Sequence, residues 1–160
     1  MEWNQLLSSE MEKAYKSTLA MIEKVDDSEL NWKPVTGNNW MTMGQLLKHI
    51  ADACGMCFKG FVTGDWGMPE GMKVEDIKPE DMLPPAESLP TVASVAEAKQ
   101  LLTQDRQIAL DMLAKVSEHE LDTHAVSAPW DPREIILGYR LLGMVNHLQS
   151  HKHQLFYYLK

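Results

Sequence analysis

R-E-I-I-L-G-Y-R-L-L-G-M-V-N-H-L-Q-S-H-K-H-Q-L-F-Y-Y-L-K, residues 133–160, carries apolar residues at intervals of three and four along most of its length. This spacing predicts an amphipathic helix from about Arg133 to Tyr158, because residues three and four apart share one helix face. The predicted apolar stripe consists of Leu137, Leu141, Met144, Val145, Leu148, Leu155 and Leu159. This segment is the last of four predicted helices.

Two earlier segments predict the first pair of helices. Residues 3–24 also place apolar side chains at intervals of three and four, which is typical of an amphipathic helix. A loop with Pro, Gly and Asn follows them. Thr42, with Gln45 three residues later, forms a capping box that begins the second helix. This helix is predicted to end around residues 60–64.

The third helix is predicted to follow a long connection. Residues 64–92 contain five of the eight prolines and no sustained period, which predicts an irregular crossover between helices 2 and 3. The capping-box sequence S-V-A-E at 94–97 then begins a helix that continues to Val116. No strand pattern of useful length is present. The sequence therefore predicts an all-α fold, a four-helix bundle in up-down-down-up order, as one domain over residues 1–160.

The composition disfavours some classes of partner. The formal net charge is −8 and no run of Lys or Arg forms a basic patch, so neither nucleic acid nor a membrane is an expected partner. The N-terminal residues lack the basic and apolar regions of a secretory signal, and no stretch of about 18 apolar residues follows them. Two cysteines give no disulfide framework, which suits a reducing compartment. A cytoplasmic protein is expected.

Three of the six histidines have positions from which they can meet. His147 and His151 are four positions apart on the last predicted helix, so they lie about 40° apart around its axis and one turn apart along it. His49 lies at the edge of the apolar stripe of the second helix. If these two helices pack side by side, three imidazoles face one cavity and leave a coordination position open, the pattern of a catalytic zinc-like ion.

The spacing of His147 and His151 is also consistent with a chance pair that binds no metal. Six histidines produce a pair at i and i+4 by accident fairly often, and such a pair is more commonly a surface or core pair than a ligand pair. His153 is predicted on the opposite helix face, toward solvent or a partner chain. His119 and His124 are predicted at the surface. Periodicity alone leaves both interpretations open.

Four other residues near the candidate ligands are candidates for supporting roles. Asp52, Asn146 and Gln154 lie within one turn of the three histidines, so each could orient an imidazole or hold a bound water. Trp40, beside the loop before the second helix, could cap the core or line a pocket. C-G-M-C at 54–57 has redox or zinc-motif spacing, but it is predicted inside a helix with no strand nearby, so its cysteines are predicted to be buried thiols. No catalytic residue is indicated.

Motifs along nearly the whole chain resemble those of the DinB/YfiT-like superfamily of metalloenzymes, which is distinct from the similarly named DNA polymerase. They are E-L-x-W-x-P at 29–34, W-x-T-x-G-Q-L-L-x-H-I at 40–50 and H-L-Q-S-H-K-H-Q-L at 147–155. In that family a histidine of helix 2 and an H-x-x-x-H pair of helix 4 bind a divalent metal. The resemblance implies that His49, His147 and His151 are the ligands. One departure is His153, which stands where the family usually has glycine.

The resemblance also implies a class of function. Relatives in the superfamily include thiol-dependent transferases and isomerases, so the expected activity is S-transfer with a low-molecular-weight thiol and an electrophile as small-molecule partners. The expected cofactor is a divalent Zn, Ni, Fe or Mn ion, and the expected assembly is a homodimer. A coordinated thiol loses its proton near neutral pH, which gives this chemistry a physical basis. The alternatives are a metal-dependent hydrolase that uses bound water and a non-catalytic helical dimer.

Overall fold

The computed structural model describes residues 2–67 and 84–160, which contain six α-helices and one small sheet. The elements in chain order are α1 (Trp3–Ile22), α2 (Met43–Ala51), α3 (Gly55–Thr63), α4 (Val95–Leu113), α5 (Glu118–Thr123), β1 (Ala125–Ala128), β2 (Asp131–Ile136) and α6 (Leu137–Tyr158). Two short 3-10 helices cover Asp27–Glu29 and Ala86–Ser88. The described part of the chain is therefore mostly helical.

The start of α2 is fixed by the capping box that the sequence predicts. The hydroxyl of Thr42 accepts the backbone N–H of Gln45 at 3.2 Å, and the side-chain oxygen of Gln45 accepts the N–H of Thr42 at 2.8 Å. The amide nitrogen of Gln45 then donates to the carbonyls of Ala86 and Leu89, at 2.8 and 3.0 Å. One side chain thus caps the helix and holds the chain segment that leads into α4.

The prediction of a single second helix ending around residues 60–64 is wrong, because the helix breaks between Ala51 and Gly55. α2 ends at Ala51, residues 52–54 form a turn, and α3 begins at Gly55. A Cβ atom at Gly55 would lie only 2.0 Å from the backbone oxygen of Asp105 in α4. Glycine therefore lets the start of α3 approach the backbone of α4 closely.

The all-α prediction is also wrong in one respect, because residues 125–136 contain a β-hairpin. β1 and β2 pair antiparallel, with Val126 opposite Ile135 and Ala128 opposite Asp131. The last helix begins at Leu137 and not near Arg133. Pro132 and the β-branched Ile135 favour extended backbone here, while the helical period of the apolar residues begins only afterwards.

The core lies between the long helices. The buried side chains of α6 include Leu137, Leu141, Val145, Leu148 and Leu155 from the predicted stripe, whereas Met144 and Leu159 are only partly buried. α1 contributes Leu7, Met11, Ala14, Tyr15 and Ile22 to the same core. α6 packs against α1, α2 and α3, and α4 packs against the same three helices. This packing brings α2 next to α6.

Contacts at the helix ends show how α6 and α4 run relative to α1. Trp3 at the start of α1 stands edge-on to Tyr139 at the start of α6, with ring centroids 4.9 Å apart, so these ends coincide. Lys99 near the start of α4 pairs with Glu23 just after α1 at 3.3 Å, so α4 runs opposite to α1. The complete up-down-down-up order stays a prediction, because residues 68–83 of the predicted crossover lie outside the described residues. Among the helices of residues 2–67 and 84–160, none is long and apolar enough to cross a membrane.

Candidate metal centre

Two neighbouring helices carry the three candidate ligands. His49 lies in the last turn of α2, and His147 and His151 lie one turn apart in α6. All three side chains are partly buried. The direct packing of α2 against α6 brings together the histidines that the sequence places at the edges of two apolar stripes.

The three imidazoles meet through their Nε2 atoms. The Nε2 atom of His151 lies 3.0 Å from that of His49 and 2.9 Å from that of His147. One ligand nitrogen from each ring lies within 4.8 Å of the others. The rings of His49 and His151 are nearly perpendicular, with an interplanar angle of 85°. The rings therefore converge edge-first on one point and do not stack.

Hydrogen bonds on the outer ring nitrogens determine which nitrogens face inward with a lone pair. The Nδ1 atom of His147 lies 3.3 Å from the carbonyl oxygen of Ala53, and that of His151 lies 3.0 Å from the side-chain oxygen of Gln154. Carbonyl oxygens only accept hydrogen bonds, so both Nδ1 atoms carry the proton. The Nε2 atoms of neutral His147 and His151 consequently direct two lone pairs at each other across 2.9 Å.

Burial keeps the three rings neutral. It is the main cause that lowers the pKa of each histidine, and the neighbouring imidazoles His151 and His147 lower that of His49 further, to about 4. Neutral imidazole is the form that binds metal ions, because the proton of imidazolium occupies the ligand lone pair.

The arrangement fits a divalent cation. Three nitrogens bound to one ion at about 2.0–2.1 Å would be no more than about 4.2 Å apart, since no two of them can be farther apart than twice the bond length. The Nε2 separations of His151 from His147 and from His49, 2.9 and 3.0 Å, meet this limit. A cation would also remove the repulsion between facing lone pairs. Donor type, spacing and tautomer therefore agree with a metal site that has positions left for another ligand.

A chain of hydrogen bonds extends from His151 to the loop before α2. Gln154 accepts from His151 and also hydrogen-bonds the hydroxyl of Tyr158. That hydroxyl donates to the carbonyl of Met41 at 3.0 Å. The ring of Trp40 stands edge-on to Tyr158, with centroids 6.2 Å apart. Gln154 thus hydrogen-bonds one candidate ligand, while Trp40 contacts Tyr158 at the end of this chain of bonds.

The other two candidate supporting residues, Asp52 and Asn146, have different surroundings. Asp52 pairs with Lys48, one turn earlier in the chain. Asn146 lies on the exposed face of α6, as does His153. The predicted surface histidines, His119 and His124, are exposed.

The C-G-M-C motif lies at a helix start and not inside a helix as predicted. Cys54 immediately precedes α3 and Cys57 lies in its first turn. Cys54 is buried and Cys57 partly buried, and neither forms a disulfide. Burial raises the pKa of both thiols, that of Cys57 to about 12. Both are therefore protonated near neutral pH, which agrees with the prediction of buried thiols.

Sequence reasoning missed the part that the turn at residues 52–54 plays. The carbonyl of Ala53 orients His147, and a backbone group leaves no residue-type signal in the sequence. The available signal was Gly55, a weak helix former inside an apparent helix. An isolated glycine of this kind often marks a place where two backbones come close.

A cluster of three histidines between two helices, with orienting acceptors behind two of them, is typical of a metal-binding helical protein. The family model for the DinB superfamily matches residues 10–155, and the chain belongs to that superfamily. A conserved protein from Enterococcus faecalis, known from its crystal structure, has a similar fold. The TM-score is 0.67 at 17% identity, over 99% of this chain and 96% of that one. No curated protein matches the sequence.

Proposed function

We propose that His49, His147 and His151 bind one divalent transition-metal ion, and that the protein is a metal-dependent enzyme that transfers a small thiol to an electrophile. The observation that carries the proposal is the pair of inward-facing lone pairs, fixed by the Nδ1 hydrogen bonds to Ala53 and Gln154. Imidazole ligands suit Zn, Ni and Fe, and Mn belongs to the same candidate set.

The chemistry of such a site needs an ionised nucleophile. A divalent ion, when bound, supplies positive charge that lowers the pKa of a thiol or water beside it. The protein contributes three neutral ligands, and hydrogen bonds to Ala53 and Gln154 already orient two of them. Half-burial of the three rings restricts water around them, which strengthens electrostatic interactions at the site.

Superfamily membership supports the thiol transferase over the hydrolase that the same ligand set permits. The resemblance of the motifs at 40–50 and 147–155 extends to relatives that use low-molecular-weight thiols. The two cysteines of the chain do not compete for the role of nucleophile, because their raised pKa values keep them protonated. The proposed substrate pair is therefore an external thiol and an electrophile, in a cytoplasmic setting. A homodimer is the proposed assembly.

Metal content is the first test of this proposal. The protein is purified without an affinity tag or a nickel column, and its metals are counted by plasma mass spectrometry. We expect close to one divalent ion per chain. His147→Ala should lose it, whereas His153→Ala, an exposed histidine on the same helix, should keep it. Full stoichiometry in His147→Ala would refute the ligand assignment, and no metal in the wild type after reconstitution would favour a non-catalytic helical protein.

Activity is the second test. The metal-loaded protein is incubated with monochlorobimane and, in turn, with several cellular thiols, and the fluorescent conjugate is measured. Conjugation that requires both the protein and its metal is the expected result. If no thiol supports metal-dependent conjugation while an ester or amide substrate is hydrolysed, the hydrolase alternative is the better description of the site.

A further inference from the structure

Asp105 is a buried carboxylate that the proposed metal site does not use directly. It lies in α4 with only 3% of its surface exposed. One oxygen accepts the hydroxyl of Tyr15 at 2.7 Å, and the other accepts the backbone N–H of Met56 at 3.0 Å. The backbone N–H of Gly55 hydrogen-bonds the same carboxylate. A buried acid with this many donors has a defined structural task.

That task is to cap α3 from outside. The first N–H groups of a helix have no partner within it and need an external acceptor. Cys54, at the N-cap position of α3, provides no side-chain hydrogen bond. The carboxyl group of Asp105 supplies the missing acceptors at Gly55 and Met56. α3 therefore begins where its first N–H groups meet the carboxyl group of Asp105.

The start of α3 matters for the metal centre because it frees a carbonyl group. In one continuous helix, the carbonyl of Ala53 would accept the N–H of Cys57, four residues later. Since α2 ends at Ala51 and α3 begins at Gly55, Ala53 lies outside both helices. Its carbonyl accepts from Nδ1 of His147 instead.

We propose that Asp105 is a positioning residue for the metal centre: by fixing the first turn of α3, it holds the carbonyl of Ala53 against His147 and so keeps Nε2 of His147 directed at the ion. This inference rests on the proposed function, because the orientation of His147 serves the protein only if the site binds an ion. The positioning itself is a property of the metal-free protein and has its own measurement.

Three variants of the buried cluster separate positioning from general stability. Asp105→Leu removes both acceptor oxygens. Asp105→Asn keeps one oxygen for the N–H groups of α3, while its amide group can donate to the hydroxyl of Tyr15. Tyr15→Phe removes only the bond that does not involve α3. All three perturb the same buried cluster, but only the first removes the cap of α3.

The first readout is the tautomer of His147 in the metal-free protein, measured by long-range proton–nitrogen NMR. Wild type, Asp105→Asn and Tyr15→Phe should show the Nδ1–H form, and Asp105→Leu should show a mixture with the Nε2–H form. The second readout is metal affinity by chelator competition, which should weaken about tenfold or more in Asp105→Leu and stay within about threefold in the other two. Equal effects in Asp105→Leu and Tyr15→Phe would reduce Asp105 to a stabilising residue.

Wild-type measurements keep the inference testable if Asp105→Leu does not fold. The amide protons of Gly55 and Met56 should exchange slowly with solvent, as capped helix amides do. Exchange as fast as that of exposed loop amides would show that the cap is absent and overturn the inference. Failure of wild-type protein to bind metal would instead refute the proposed function, and the tautomer of His147 would still decide the positioning role.

Discussion

Replacing Gln154 with leucine should weaken metal binding by removing the acceptor behind one ligand. The side-chain oxygen of Gln154 lies 3.0 Å from Nδ1 of His151 and fixes the tautomer that presents Nε2 to the site. Leucine has a similar size but accepts no hydrogen bond, so the imidazole can rotate and populate the Nε2–H form. That form has no lone pair at the inward nitrogen. The fold and the other two ligands stay in place.

The size of this effect follows from two estimates. A neutral hydrogen bond contributes about 0.5–1.5 kcal/mol, which corresponds to roughly 2- to 13-fold in affinity. Removal of a group that orients a metal ligand typically weakens binding by about 10- to 100-fold. Because Gln154 is only partly buried, water can replace some of the lost bond. The expected loss is therefore near the overlap of the two estimates, about tenfold.

The assay is competition for Zn²⁺ or Ni²⁺ with a chromophoric chelator of known affinity. Gln154→Glu is the informative partner variant, since a carboxylate accepts more strongly and should bind metal at least as tightly as the wild type. Gln107→Leu is the matched control, because Gln107 is exposed on α4 and its side chain donates to Asp111. Unchanged affinity in Gln154→Leu, or an equal loss in Gln154→Glu, would refute this role for Gln154.

Three further predictions concern the scaffold and its pH dependence. Thr42→Ala removes the N-cap of α2 and should lower the free energy of unfolding by about 1 kcal/mol in urea titrations; no change would mean that the cap is replaced by water. Gly55→Ala should destabilise by roughly 1–3 kcal/mol, because its Cβ would meet the backbone of α4 at 2.0 Å. At Gly143 an added Cβ would meet no atom of the described residues within 4 Å outside its own helix backbone and chain neighbours. Gly143→Ala should therefore stabilise by up to about 1 kcal/mol, and the same sign in both variants would contradict the argument. Metal-free protein should lose stability as the pH falls from 6.5 towards 4, since the pKa of His49 is lowered from 6.5 to about 4 and the unfolded chain takes up that proton first. His49→Gln should flatten this dependence in denaturation measured across the same pH range.

The sequence predicted those parts of the molecule that depend on periodicity and local caps. The stripe of the last helix and the Thr42–Gln45 box depend on residues a few positions apart, so a single sequence contains the information. The approach of His49 to His151 depends on which helices pack together. That packing was available only through the family resemblance.

The features that the sequence did not predict depend on contacts between distant segments. The helix breaks before Gly55, where α3 meets the backbone of Asp105. Asp105 lies fifty positions later in the sequence. The hairpin was missed because β1 has only four residues, too few for an alternating pattern to stand out. The carbonyl of Ala53 acts through backbone geometry, which residue identity does not encode.

Two of the candidate ligands, His49 and His151, are 102 positions apart in the chain. The proposed ion would be held by both rings only in the folded protein, so its binding would link metal supply to folding. Free metal at one hundred times its dissociation constant would add about 2.7 kcal/mol to the resistance of the protein to unfolding. In a cell short of that metal, the protein would be degraded faster even though its sequence and synthesis are unchanged.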